Sequence, residues 1–239
     1  MVCFHGEPSW AYLYRKMIGP LVEGGHRVIV PDYAGFGRSD KRTDRCWYTY
    51  DRHSALMIYM LGALDVREAT VVVQYRGGPI GLRWAIENPD RVAALAIFNS
   101  RLFTGRVSEG FLAWREFAER NPDLPVGLAI LGATATDLPG DVVAAYEAPF
   151  PTAESKAGAA QFPLLVPTSE DAVGAKQMLA ISNECRAGKS PRSSASPTWT
   201  RLSPTRKPGR PFATSSRPRA PRSRSRVRPT SFKKTAGNA

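Results

Sequence analysis

Tyr75 and Arg76 stand at the tip of Val71-Val72-Val73-Gln74-Tyr75-Arg76-Gly77-Gly78, a stretch with the form of a buried strand running into a tight glycine turn. A side chain on such a turn is held out at a strand end, where a nucleophile or proton donor would work. A phenol with its usual pKa of about 10 is neutral at pH 7, so Tyr75 would need a strong base beside it to attack anything. The other titratable candidates are Glu7, Asp32 and three histidines, His5, His26 and His53. Their spacing suits no metal ion. The Gly35/Gly37 pair is too short and misplaced for a dinucleotide fingerprint, and no cofactor is expected. No Gly-x-Ser-x-Gly elbow exists, which disfavours a serine esterase. His5 reads as a structural strand-end residue, His26 and His53 as surface or helix-face residues, and Asp32 as a loop-holding carboxylate.

These residues are carried by alternating strands and helices. Residues 2–5, 27–30, 69–73 and 92–98 are short apolar runs, the pattern of buried strands. Residues 12–22, 50–64 and 79–87 have apolar positions at helical spacing, and Gly24-Gly25 and Asn88-Pro89 supply stops. Continuous apolar strands separated by helices indicate a parallel sheet covered on both faces. Over residues 108–160 strands give way to helix-like segments broken by proline, the pattern of a helical insertion over one end of the sheet.

Composition adds two exclusions. The net charge of +12 is uneven: residues 186–239 hold 15 Lys/Arg and no acid, so residues 1–185 carry 33 − 15 = 18 basic against 21 acidic residues, a net −3. The basic character therefore belongs to the tail. Three cysteines, Cys3, Cys46 and Cys185, do not make a disulfide framework and point to a reducing, cytoplasmic setting. No apolar run is long enough to span a bilayer, so no membrane partner is expected.

Taken in order, the motifs resemble the haloalkane dehalogenases, an α/β-hydrolase family. The resemblance is carried by His5-Gly6-Glu7-Pro8-Ser9-Trp10, by Pro31-Asp32 with Gly35-Phe36-Gly37-Arg38-Ser39-Asp40-Lys41, and by Val73-Gln74-x-x-Gly77-Gly78. Asn88-Pro89-Asp90-Arg91-Val92, Phe111-Leu112-Ala113-Trp114, Ala148-Pro149-Phe150-Pro151 and Gln161-Phe162-Pro163-Leu164-Leu165-Val166-Pro167-Thr168 extend it to about residue 175. It implies an α/β-hydrolase fold: a core over 1–105, a helical lid over 106–165, a return toward the core over 166–184 and a disordered basic tail over 185–239. The sheet is expected to be incomplete at both ends, with exposed edges and poor solubility.

The resemblance also implies a role for each site position. An aspartate at the elbow would displace halide from carbon and form an alkyl-enzyme ester, which a histidine-activated water then hydrolyses. Glu7 matches the oxyanion loop and Trp114 the halide donor of the lid. Tyr75 stands where the aspartate belongs and Arg76 where a halide-binding tryptophan belongs. The expectation is a small haloalkane substrate for the family and inactivity for this chain, because nucleophile, acid and base are all absent: no histidine follows His53.

The tail offers a reason. Shifted by one base, Trp199-Thr200 forces an aspartate codon, and residues 188–201 permit a strand followed by an acid. Residues 229–235 permit a His-Phe-Leu-Gln-Glu-Asp motif. An out-of-frame translation from about residue 180 is therefore expected. The alternative is a non-catalytic protein using a genuine basic tail to bind nucleic acid.

Overall fold

The computed structural model describes residues 1–186 and 201–202. Its centre is a parallel sheet of four strands, β1 (Val2–Phe4), β2 (Ala69–Gln74), β3 (Val92–Phe98) and β4 (Arg201–Leu202), in that spatial order. Val2, Cys3 and Phe4 pair with Val71, Val72 and Val73, and Val73 and Gln74 pair with Ile97 and Phe98. The fold class expected from the apolar runs is the one observed.

Strands β1 and β2 are buried on both faces, which explains why β2 is apolar without alternation, while β3 is half-buried beyond Val92. Val71 and Val73 face the larger core with Phe4, Met57, Leu61, Ile80 and Trp84. Val72 and Cys3 face a smaller one with Tyr14, Met17 and Ile18. Here α1 (Arg15–Glu23) follows a 3₁₀ turn over Ala11–Tyr14, so the helix expected from residue 12 begins as a tighter coil. On the larger side, α2 (Tyr50–Ala63) turns Tyr50, His53, Ser54, Met57 and Leu61 inward, the three-and-four spacing of one helix face. Thr49 caps it by accepting from the Arg52 amide. Helix α3 (Gly77–Glu87) packs on β2 and starts two residues before the expected Pro79, because Gly77 and Gly78 already turn helically.

The strand expected over 27–30 is a single bridge. Ile29 pairs with Val2, donating to the Met1 carbonyl and accepting from the Cys3 amide, each at 2.9 Å. Pro31 has no N–H with which to prolong the ladder.

Beyond β3 come α4 (Glu109–Arg120), α5 (Val126–Ala133), α6 (Gly140–Glu147) and α7 (Ala157–Gln161). Ser108 caps α4 through the Phe111 amide. Arg115 donates to the carbonyls of Pro163, Leu164 and Val166 at 3.3, 2.6 and 3.5 Å, tying α4 to the return segment. Trp10 donates to the Ala145 carbonyl at 3.2 Å and Arg15 to the Tyr146 hydroxyl at 3.2 Å, tying α6 to the loop after β1 and to the start of α1.

The return ends in α8 (Ala175–Arg186), which carries helix one residue past the expected start of the tail. Arg201–Leu202 then lies parallel to Ile97–Phe98, a strand that the tail's composition gave no reason to expect. The rest of the supposed out-of-frame segment, including both recovered motifs apart from residue 201, lies outside the described residues. No described helix is long and apolar enough to cross a membrane.

Candidate functional site at the strand-end elbow

The elbow after β2 is a forced turn. Tyr75 adopts φ 48°, a left-handed conformation that is uncommon for a residue with a side chain. Three hydrogen bonds hold it there: the Tyr75 amide donates to the Phe98 carbonyl at 3.1 Å, and the Tyr75 carbonyl accepts from the Gly78 amide at 3.2 Å and from the Ser100 hydroxyl at 2.7 Å. The glycines are dictated by space. A Cβ on Gly77 would lie 2.2 Å from the Phe4 carbonyl oxygen, and one on Gly6 would lie 2.8 Å from the Tyr75 Cβ. The elbow and the loop after β1 are thus in direct contact.

Four groups converge at that contact. Glu7 is 6% exposed, and neither carboxyl oxygen has a hydrogen-bond partner among the described residues. Burial pushes its carboxyl up to about 8, against the pull of the Arg76 charge. Arg76 is 3% exposed. Its Nη2 donates to the Phe162 carbonyl at a long 3.4 Å, while Nε and Nη1 have no partner among the described residues. Its guanidinium carbon sits 5.2 Å from the Phe103 ring and 5.8 Å from the Phe162 ring, so aromatic surface covers the cation. Burial lowers its affinity for the proton, opposed by Tyr75 and Glu7. The half-buried Tyr75 has its phenol pKa raised further, first by burial and then by the charge of Glu7. A strong base beside it, the one condition for phenolate chemistry, is not supplied by Glu7, whose own carboxyl favours its proton.

The fourth group is His53, which the sequence placed on a surface or helix face; it is 1% exposed, with its ring among Tyr33, Tyr48 and Phe162. Burial lowers its pKa to about 3, and the charges of His5 and Arg76 add to this. Its position three residues after Tyr50 and four before Met57, on the apolar stripe of α2, was the sign of its burial. His26 is exposed, as expected.

His5 is structural. Its Nε2 accepts from the Tyr33 amide at 3.2 Å, so the proton sits on Nδ1, which donates to the Gly6 carbonyl at 2.9 Å. Both ring nitrogens are therefore spent on loops, and burial lowers its pKa to about 4. Asp32 is likewise a brace: its two carboxyl oxygens accept from the Ala11 amide at 2.7 Å and the Arg38 amide at 3.0 Å. Trp114 lies on α4, half-buried against the larger core and stacked on Phe117 with centroids 5.9 Å apart. The structure therefore brings Tyr75 and Arg76 beside the loop that carries Glu7, with Trp114 on α4. No cluster among the described residues offers three ligands to a metal ion.

Residues 1–199 match the alpha/beta hydrolase fold family. The chain is 50% identical over 173 residues to a haloalkane dehalogenase of Psychrobacter cryohalolentis, covering 72% of this chain and 57% of that protein. It is 47% identical to one of Mycobacterium marinum, again over 72% of this chain and 58% of the relative. The chain thus spans less than two thirds of the length of these curated relatives. Among solved structures, haloalkane dehalogenase DpaA from Paraglaciecola agarilytica superposes with a TM-score of 0.73 at 35% identity, covering 77% of this chain and 62% of that one. A match over most of the sequence, joined to this set of relatives, means that the chain belongs to the alpha/beta hydrolase fold family, as a homologue of its haloalkane dehalogenases.

Proposed function

We propose that this chain descends from enzymes that hydrolyse carbon–halogen bonds through an alkyl-enzyme ester, and that it does not perform that reaction itself. The observation that carries the reading is Tyr75 at the elbow, in left-handed geometry, with its phenol made less acidic by burial. Displacement of halide needs an anionic oxygen at that point, and a neutral phenol is not one. Arg76 in the neighbouring position would put a full charge where the family resemblance calls for a neutral donor. Of the two histidines near the site, His5 has both ring nitrogens engaged with backbone and His53 is enclosed among aromatic rings, and burial makes each a weak base, so neither is poised to activate water. Trp114 and Glu7 keep the lid-donor and oxyanion-loop positions, and a small haloalkane is the substrate class the ancestral pocket would take. The basic segment beyond residue 186 reads better as out-of-frame translation than as a nucleic-acid-binding tail, because its aromatics stand isolated among Arg, Pro and Ser.

Purified chain incubated with short bromoalkanes should release no halide above background; release that saturates with substrate overturns the inactivity. Sequencing the gene should show that the codons of residues 188–201 and 229–235, moved by one base, spell an acid-bearing strand and a histidine motif. Salt-sensitive nucleic-acid binding that disappears with residues 186–239 would favour the alternative instead.

A further inference from the structure

Phe162 is 2% exposed, and its ring is a surface against which several polar side chains end. Its centroid lies 4.7 Å from the His53 ring, 5.9 Å from the Tyr33 ring and 5.8 Å from the Arg76 guanidinium carbon. Both ring nitrogens of His53, the Tyr33 hydroxyl, and Nε and Nη1 of Arg76 have no hydrogen-bond partner among the described residues, and no water-sized space touches them. The remaining Arg76 nitrogen, Nη2, makes the 3.4 Å bond to the Phe162 carbonyl. The guanidinium is thus desolvated while no carboxylate of the described residues is bonded to it, which is the costly way to bury a charge. These groups gain water when their cover moves, and Phe162 is the cover they share.

The segment that carries Phe162 is attached unevenly. Residues 162–165 form a 3₁₀ turn, and Gln161, Leu164 and Leu165 reach the surface, so the segment is one layer thick. On its elbow side stands the long bond from Arg76. On its other side Arg115 of α4 donates to three of its carbonyls, the shortest bond at 2.6 Å. Helix α4 is itself lightly anchored, with Ala118 its one fully buried residue. Upstream, Arg45 donates to the Ala160 carbonyl at 3.0 Å and pins α7. We propose that residues 162–166 are a strap that opens locally away from the elbow, hinged at Gln161 and carrying α4 with it, and that the buried guanidinium of Arg76 keeps the strap loose. Burial of Phe162 resists the opening. Hydration of the guanidinium drives it, and for a single side chain the second effect is the larger. The sheet stays closed meanwhile, because opening of this kind costs less than global unfolding. The strap goes beyond the loss of displacement chemistry proposed above and stands without it.

The test is hydrogen exchange of the full chain, read by peptide mass spectrometry. After correction for intrinsic rates, the peptide covering 162–166 should exchange at least about tenfold faster than the one covering 70–73, and its rate should depend little on added urea. Arg76→Met keeps an unbranched stem and removes the charge. It should slow exchange over both 162–166 and 109–120 by about tenfold and raise the thermal midpoint. The comparison of strap and sheet in the unaltered chain needs no variant. Exchange over 162–166 as slow as over 70–73 overturns the proposal. So does a folded Arg76→Met chain whose strap exchanges no more slowly than before, or slowing confined to one of the two peptides. Loss of the fold in Arg76→Met, read by circular dichroism, overturns it as well, because the guanidinium would then hold the strap rather than loosen it.

Discussion

The Ser100 hydroxyl donates to the Tyr75 carbonyl at 2.7 Å, and the same oxygen occupies the place a side chain on Gly78 would need, 1.7 Å from its ideal Cβ. The elbow therefore depends on a serine beyond β3 as much as on its own glycines. Gly78→Ala should destabilise the fold by about 1–3 kcal/mol through overpacking. Adding Ser100→Ala should return part of that loss, giving less than additive damage in urea unfolding; strict additivity would mean the two residues do not compete for this space. Gly77→Ala should be worse than Gly78→Ala, because its clash at 2.2 Å is with the Phe4 backbone carbonyl, which has no rotamer to change.

Stability should peak near pH 6.5. His5 and His53 have folded-state values of about 4 and about 3 against an ordinary 6.5, so the folded chain binds fewer protons than the unfolded one below pH 6.5. Their contribution is fully present above 6.5 and is lost as pH falls through those values. Glu7 acts oppositely. Its value of about 8 against an ordinary 4.5 gives stability that is full below 4.5 and fades as pH rises toward 8. Between 4.5 and 6.5 two histidines outweigh one carboxyl, and above 6.5 the carboxyl acts alone. Thermal melts across pH 4–9 should show this maximum, and Glu7→Gln should flatten the alkaline side.

Trp84 on α3 is 1% exposed and is among the largest fully buried side chains. Trp84→Ala should cost about 3–5 kcal/mol. Chemical denaturation would read this as a lower midpoint with little change in slope, and a loss below 1 kcal/mol would mean that α3 is not seated on β2 as described.

Asp32 braces two loops through two amides, so Asp32→Ala orphans both donors and should cost about 2–3 kcal/mol. Asp32→Asn keeps one acceptor and should cost about half as much. Equal effects of the two variants would show that charge, not the pair of hydrogen bonds, is what matters at this position.

Much of the architecture was readable in the chain because a strand buried on both faces has to be apolar throughout, as residues 71–73 are, and the half-buried run over 92–98 is apolar as well. The elbow was readable for a steric reason: only glycine fits where Gly6, Gly77 and Gly78 pass other backbone or side-chain atoms. Ile29 was overread, since a β-branched run ending in proline has the propensity of a strand without the neighbours to make one. His53 was misplaced because a titratable residue on a helix suggests solvent, and only the inward direction of Tyr50, Met57 and Leu61 overrules that. The shortage of hydrogen-bond partners among the described residues around Arg76 and Glu7 is a property of three-dimensional enclosure and has no counterpart in residue order.

The three carbonyls held by Arg115 act as an angular stop for α4. Neighbouring residues on a helix are separated by about 100° of arc, so Arg115 helps to set the azimuth of Trp114, together with the packing of α4 on the core. Mutational drift at position 115 would remove one restraint on that bearing without altering any side chain at the elbow. A recombination or repair programme aimed at α4 would therefore have to carry residues 114, 115 and 163–166 as one linked block.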